Sequence, residues 1–257
     1  MGIDISVIAV AHRIQHWLEC YESYITKLNF EVIFVTDRAP NFTLPDNFRY
    51  IMTNVKPAQC GQIAFDEAKG EVVLLTSDDI IFNSYAFDRA YEIYKKHDYK
   101  TMVGFRVWEG WGSLGETTDF HYLFHRTKYG EEHPELIKNS PKMLAMGLMS
   151  KQLLNEIGRI DNRFVCGQWE NDLVMRAYAI GGKIVMSEWS KSYNDTNKHH
   201  GEGNYRGEIH KYETELLAKL WVKDNKFSKE RLEPVQEISP NNILVYSQGG
   251  NIPEKWT

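Results

Sequence analysis

Two adjacent carboxylates, Asp78 and Asp79, follow closely on the apolar run Val72-Val73-Leu74-Leu75. Like charges that close repel each other, so the pair is costly unless something positive sits beside it. A divalent metal carrying a diphosphate meets that need, because Mg²⁺-type sites use one or two carboxylates together with substrate phosphates. The plainer reading is a solvated turn capping the next helix, and on this stretch alone the two readings stand level. A second acidic group lies in Gly167-Gln168-Trp169-Glu170-Asn171-Asp172-Leu173-Val174-Met175-Arg176. Acidic residues favour a helix N-terminus through the dipole, which accounts well for Asp172. It accounts less well for Glu170, which has Trp169 beside it. An aromatic neighbour can raise a carboxylate pKa by desolvation, as a general base requires. Asp172 and Arg176 have the spacing of a pair along a helix, so Asp172 reads as structural or orienting and Glu170 as the candidate base. His199 and His200 sit in a polar, Gly-rich stretch. One of their imidazoles could complete a metal site begun by Asp78 and Asp79. His121 and His125 share a face but have no third ligand, and read as structural.

The elements that must hold these residues alternate in type. Ile3 to Val10, Glu31 to Thr36, Phe48 to Thr53, Glu71 to Leu75 and Met102 to Val107 read as strands. Between them, apolar residues from Ile14 to Leu28 fall at helical spacing. Gln59 to Lys69 reads as a short helix stopped by Gly70, and a further helix starts at Asn83 or Ser84 and runs to Lys96. Alternating strand and helix predicts an α/β fold with a parallel sheet and helices on both faces. Such sheets bind ligands at the carboxyl ends of their strands, where Arg13, Asp37 and the Asp78-Asp79 pair all fall. Farther on, Phe120 to Thr127 and Lys142 to Met149 read as strands. Ser150 caps a short helix ending at Gly158, Trp169 to Ile180 is helical, Lys183 to Ser187 is a strand, and Ile209 to Leu220 marks a last helix. The stretches Trp108 to Gly115 and Glu188 to Gly207 read as loops, and the chain after Trp221 as a polar wrap.

The whole chain sets the frame. Its 257 residues are 42% hydrophobic and 25% charged, an ordinary globular composition. No run approaches the length a membrane span needs, and no basic stretch leads into an apolar one at the N-terminus. Cys20, Cys60 and Cys166 are unclustered, which fits reduced thiols in the cytoplasm and argues against a thiolate zinc site. A net charge of −5 argues against a nucleic-acid partner.

Taken in order, these residues resemble the inverting glycosyltransferases of family 2, which have the GT-A fold: a mostly parallel central sheet sandwiched by helices. The resemblance covers roughly residues 3 to 206. It rests on Thr36-Asp37, Gly61-Gln62, Gly70-Glu71, Thr76-Ser77-Asp78-Asp79, Gly147, Ile157-Gly158-Arg159-Ile160-Asp161, Trp169-Glu170-Asn171-Asp172 with Arg176, and Gly181-Gly182. It departs from the family at Val10-Ala11-His12-Arg13, where a Pro-Thr-Tyr-Asn-like loop is usual, and at Thr76, where the first acid of the metal motif is missing.

The resemblance implies a single GT-A domain over 1–221, with a nucleotide-binding half at 1–107, an acceptor half at 108–221 and an extension at 222–257. It implies transfer of a sugar, with inversion, from a nucleotide-diphosphate sugar to a hydroxyl of a glycan or glycolipid. Glu170 would be the base, with Asp172 beside it in the catalytic group. Ala11, His12, Arg13, Asp37, Gln62, Ser77, Asp78 and Trp169 would contact substrate. Mn²⁺ or Mg²⁺ would be held by Asp78, Asp79 and His199 or His200. Trp108, Trp111 and Trp169 are candidates for stacking on sugar rings, and the loops at 108–115 and 199–207 for closing over the donor. The stretch after Trp221 is a candidate lid, dimer contact or peripheral membrane contact, with Lys223, Lys226, Lys229 and Arg231 making a modest basic cluster offset by nearby acids. A nucleotidyltransferase on a similar sheet, and a non-catalytic nucleotide- or glycan-binding module, are the alternatives.

Overall fold

The computed structural model describes residues 2–110, 117–120, 123–124, 141–144, 146–194 and 206–239. Strand β1 (Ile5–Val10) leads through a 3-10 turn (Ile14–His16) into α1 (Trp17–Glu22). Then come β2 (Phe30–Thr36), β3 (Phe48–Met52), α2 (Pro57–Glu67), β4 (Val72–Leu75), β5 (Ile81–Phe82), α3 (Ala86–Tyr94) and β6 (Thr101–Gly110). Strands β7 (Thr117–Phe120), β8 (Leu123–Phe124), β9 (Lys142–Met143) and β10 (Gly147–Ser150) precede α4 (Lys151–Ile157) and α5 (Trp169–Ala179). The long β11 (Lys183–Asn194) is followed by α6 (Arg206–Trp221) and the small hairpin of β12 (Val222–Lys223) and β13 (Lys226–Phe227).

One nine-stranded sheet carries the site. Its order is β3-β2-β1-β4-β10-β6-β11-β5, with β7 paired to β6. Six of the nine strands point the same way: β3, β2, β1 and β4 pair in parallel, β10 runs against both β4 and β6, and β6 and β11 are again parallel. The central strands are mostly apolar because both faces are covered. Ile5, Val7 and Ala9 of β1 face α1 and α3 together with Val32, Phe34, Val72 and Leu74. Ile8, Ile33, Val35, Val73 and Leu75 face α2, α4, α5 and α6. That alternation fixes the register, since a one-residue slip would exchange the two faces.

Several elements differ in length from the sequence expectation. The helix expected from Ile14 to Leu28 stops at Glu22, where the Ser23 hydroxyl donates to the Cys20 carbonyl at 2.6 Å and accepts from the Phe82 amide at 3.0 Å. The strand expected over Lys142 to Met149 is two strands in different sheets. The strand expected to end at Ser187 continues to Asn194 past a register shift, because Ser192 and Tyr193 pair with β5 as well as β6. Ser150 caps α4 as the sequence suggests, accepting from the Leu153 amide at 2.8 Å.

The boundary expected after Trp221 does not separate structure from tail. Arg231 reaches back to Asp161 and Asp172, Ile238 is buried in the core, and Glu237 bridges to Asp161. Residues 222–239 are therefore a packed part of the domain. No helix among the described residues is long and apolar enough to cross a membrane.

Candidate active site

The parallel strands end together, and their carboxyl ends define one face. Arg13 follows β1, Asp37 follows β2, and the Asp pair follows β4. Helix α2 starts on this same face, directly after β3. The loop that launches α5 packs against that start: the Ala58 amide donates to Val165 O at 2.9 Å, and Lys56 Nζ donates to Asn162 O. From there α5 descends to the opposite edge, where β11 begins beside Thr101. Glu170, half-buried in the first turn of α5, therefore stands on the strand-end face with the other candidates.

The start of α5 is held from a distance in sequence. Val165, Cys166 and Gly167 turn three successive amides towards the buried carboxylate of Glu213 on α6, at 2.6 to 3.0 Å from Oε1. Successive amides of this kind form a natural anion cradle, and here a side chain fills it. Gln168 then takes a left-handed backbone, φ 59°, and the helix begins at Trp169. The importance of Glu213 is not visible in the sequence, because 46 residues separate it from Gly167.

Asp172 is fully buried, at 0% exposure. It forms the expected pair with Arg176, 3.0 Å from Nε, and also accepts from Trp221 Nε1 at 2.9 Å and Arg231 Nε at 3.0 Å. These contacts hold α5 against α6 and the chain end, so Asp172 braces the helix. Two residues expected to contact substrate are buried in the described structure. Trp169, 2% exposed, lies edge-on to Phe65 in the core, and a Cβ on Gly61 would come within 2.9 Å of its ring. Gln62, also buried, accepts from the Ile160 amide at 2.7 Å and donates to Asp66 at 2.9 Å. Both side chains knit α2 to the α4–α5 region.

On the β1–β2 side, His12, Asp37 and Arg38 form an exposed cluster. His12 Nδ1 lies 3.3 Å from Asp37 Oδ1, Arg38 Nε donates to the same oxygen at 3.1 Å, and Arg38 Nη2 lies 3.1 Å from His12 Nε2. Partial burial pushes the Asp37 carboxyl up, but Arg38 and His12 outweigh it and hold the pKa below the ordinary value. Ala11 is buried, and its amide continues the β1–β2 ladder to Val35 O at 2.8 Å.

The carboxylate pair already has a cation. Asp78 is 1% and Asp79 5% exposed. Asp78 Oδ2 accepts the main-chain amides of His12 and Arg13 at 2.6 and 2.5 Å, and its Oδ1 accepts Arg13 Nε at 2.9 Å and Nη2 at 2.6 Å. Asp79 Oδ2 lies 2.9 Å from Arg13 Nη1, while its Oδ1 accepts from Ser77 Oγ at 2.7 Å. Arg13 Nη2 also donates to Ser77 Oγ at 2.9 Å. A carboxylate offers about four acceptor sites, and those of Asp78 are all taken. As folded, these residues do not fit a divalent ion, because the guanidinium stands where the ion would be. The expected third ligand, His199 or His200, lies outside the described residues, as do Trp111, His121 and His125. No group of three or more metal-ligating side chains occurs among the described residues.

No protein-family model matches the chain, and no curated protein matches it in sequence. Solved structures do match in shape. GalNAc-T7, solved with UDP, GalNAc and Mn²⁺, is 12% identical with a TM-score of 0.62, over 87% of this chain and 49% of that one. TarS of S. aureus is 17% identical with a TM-score of 0.52, over 75% of this chain and 37% of that one. A TarS fragment in complex with UDP matches with a TM-score of 0.50 and 18% identity, over 74% of this chain and 60% of that one. The likeness is one of fold: this chain has the GT-A fold that TarS and GalNAc-T7 share. It spans between 37% and 60% of the length of those solved chains.

Proposed function

We propose that the chain is a glycosyltransferase that moves a sugar from a nucleotide-diphosphate sugar to a hydroxyl of a glycan or glycolipid, with inversion and with Glu170 as general base. The observation that carries this reading is the placement, at the strand-end side of a GT-A sheet, of an acidic group beside β2, a charged Arg13–Asp78–Asp79 cluster beyond β4, and the start of α5 that bears the half-buried Glu170. The UDP bound to TarS and to GalNAc-T7 in their solved structures supports a nucleotide donor.

In this reading Asp37 and His12 contact the nucleoside, while Arg38 sets positive charge near its phosphates. The acceptor oxygen attacks the anomeric carbon from the face opposite the leaving group. Its proton passes to Glu170 as the new bond forms, and the bond from the anomeric carbon to the phosphate oxygen breaks. The nucleoside diphosphate leaves with the bonding electrons, and one displacement inverts the configuration. No step is assigned to a metal, because the carboxylates that would hold it are bonded to Arg13.

Incubation with a panel of nucleotide sugars and acceptors, followed for nucleoside diphosphate release, tests the reaction. Glu170→Gln keeps the shape and removes the basicity, so kcat should fall by at least about a hundredfold while donor affinity holds. Near wild-type transfer by that variant would remove Glu170 from the mechanism.

A further inference from the structure

We propose that Arg13 is the resident cation of the Asp78–Asp79 pair and that it bars divalent metal from these carboxylates in the free protein. The inference deepens the proposed function, since it concerns the same strand-end site. It rests on the geometry of five residues and does not depend on which sugar is moved.

Three features support it. The first is saturation. Asp78 has its four acceptor sites filled, two by main-chain amides that the end of β1 fixes in place and two by the guanidinium. The second is the fork. Arg13 places Nε and Nη2 on Asp78 and Nη1 on Asp79, so one planar group spans both carboxylates, as an ammonium could not. The third is burial. The Asp78 and Asp79 side chains are almost wholly enclosed and Arg13 is mostly so, which strengthens the attraction and makes any unpaired charge costly.

A metal arriving from solvent meets a competitor that is covalently tethered and therefore always present at high effective concentration. It must also give up its own water before it can bind. Arg13 has already lost its water on folding, so in the folded chain both costs act against the metal. The sequence holds a related hint: Thr76 stands where the family it resembles carries the first acid of its metal motif. The lost acidic residue moves the cluster away from needing a dication.

The experiment uses the full chain with Mn²⁺ alone as the probe, read by titration calorimetry and by thermal unfolding with and without millimolar Mn²⁺. The wild-type chain should show no Mn²⁺ binding at the pair and no change in Tm. Arg13→Gln opens both carboxylates and should gain Mn²⁺ affinity by at least about tenfold, with a rise in Tm on adding the metal. Asp79→Asn placed on the Gln variant should abolish the gain.

Because Arg13→Gln leaves two buried carboxylates uncompensated, folding of this variant only in Mn²⁺ would itself support the proposal. Arg13→Lys covers the case in which the Gln variant never folds: it keeps the charge, loses the fork, and should gain a smaller affinity for Mn²⁺. The proposal is overturned if wild-type and variant chains bind Mn²⁺ alike, if folded variants gain nothing, or if the gain survives Asp79→Asn. Failure of the donor reading appears separately, as no stabilisation of the wild-type chain by the uridine, guanosine or adenosine diphosphate, and leaves the metal arms readable.

Discussion

Glu170 and Asp172 lie two residues apart on one helix and have different surroundings. Glu170 is half-buried at the strand-end face, whereas Asp172 is enclosed by Arg176, Arg231 and Trp221. Removing the charge of Asp172 leaves Arg176 without its carboxylate partner in the interior and Arg231 with Asp161 alone, and breaking a buried pair typically costs about 3–5 kcal/mol. Asp172→Asn should therefore lower stability to urea by roughly that amount, with kcat of the surviving folded fraction close to wild type. A stable Asp172→Asn chain that has lost activity would exchange the roles assigned to the two acids. The Asp172–Arg176 pair is legible in the sequence because helical spacing brings those residues together. Arg231 is not, because nothing local points to a partner 59 residues away. The burial of Trp169 and Gln62 is hidden for the same reason: only tertiary packing shows that they face inward. Arg13 was visible as a charge at a strand end, but its choice of partner was not.

The elements that position the site were easier to read than the contacts that hold them. The strand–helix alternation through residue 107, the Ser150 cap and the α5 helix follow from periodicity and local chemistry. What escapes local reading is the anchoring of the α5 start by Glu213. Four hydrogen bonds from three amides converge on that carboxylate. Glu213→Gln retains one carbonyl oxygen but turns an amide group towards Gly167, and hydrogen bonds to charged groups are worth about 1.5–3 kcal/mol. The variant should lose roughly that much stability. It should also lower kcat more than it raises the donor KM, because the loop it releases carries Glu170 and not the β1–β2 cluster. Equal changes in both constants would show that Glu213 supports the domain at large.

For the molecule as a whole, the last described residues are a strap closed by charge. Asp161 sits beneath it, accepting from Arg163 Nη2 at 2.8 Å and from Arg231 Nη2 at 2.5 Å. Burial alone would raise the Asp161 pKa, but the hydrogen bonds from Arg163, Arg231 and Gln236 hold it well below the ordinary carboxylate value. A carboxylate depressed by folding contributes its stability above its unfolded pKa, about 3.9. That contribution is lost as pH falls through the folded value. The wild-type chain should therefore lose stability progressively below about pH 4. Asp161→Asn should be less stable at neutral pH and show a shallower acid limb, measured by urea midpoints across the acid range. An equally steep limb in the variant would assign the acid sensitivity to other carboxylates. Composition and the alternating elements point to the α/β fold, but the strap lies beyond the alternating pattern, and its long-range ion pairs leave no periodic trace.

Gly61 offers a way to adjust the distance between two layers of the fold. Its missing side chain lets the Trp169 ring lie against α2, with ring carbons 2.9 and 3.0 Å from where a Cβ would stand. A methyl group there must push either the ring or the helix aside by a few tenths of an ångström. The backbone that carries Trp169 also carries Glu170. Position 61 is thus a steric screw, turned by side-chain volume, that acts on the proposed base from behind. Gly61→Ala and then Gly61→Ser or Val should reduce turnover in order of size while leaving nucleotide affinity in place, and a series without that order would disconnect the two helices.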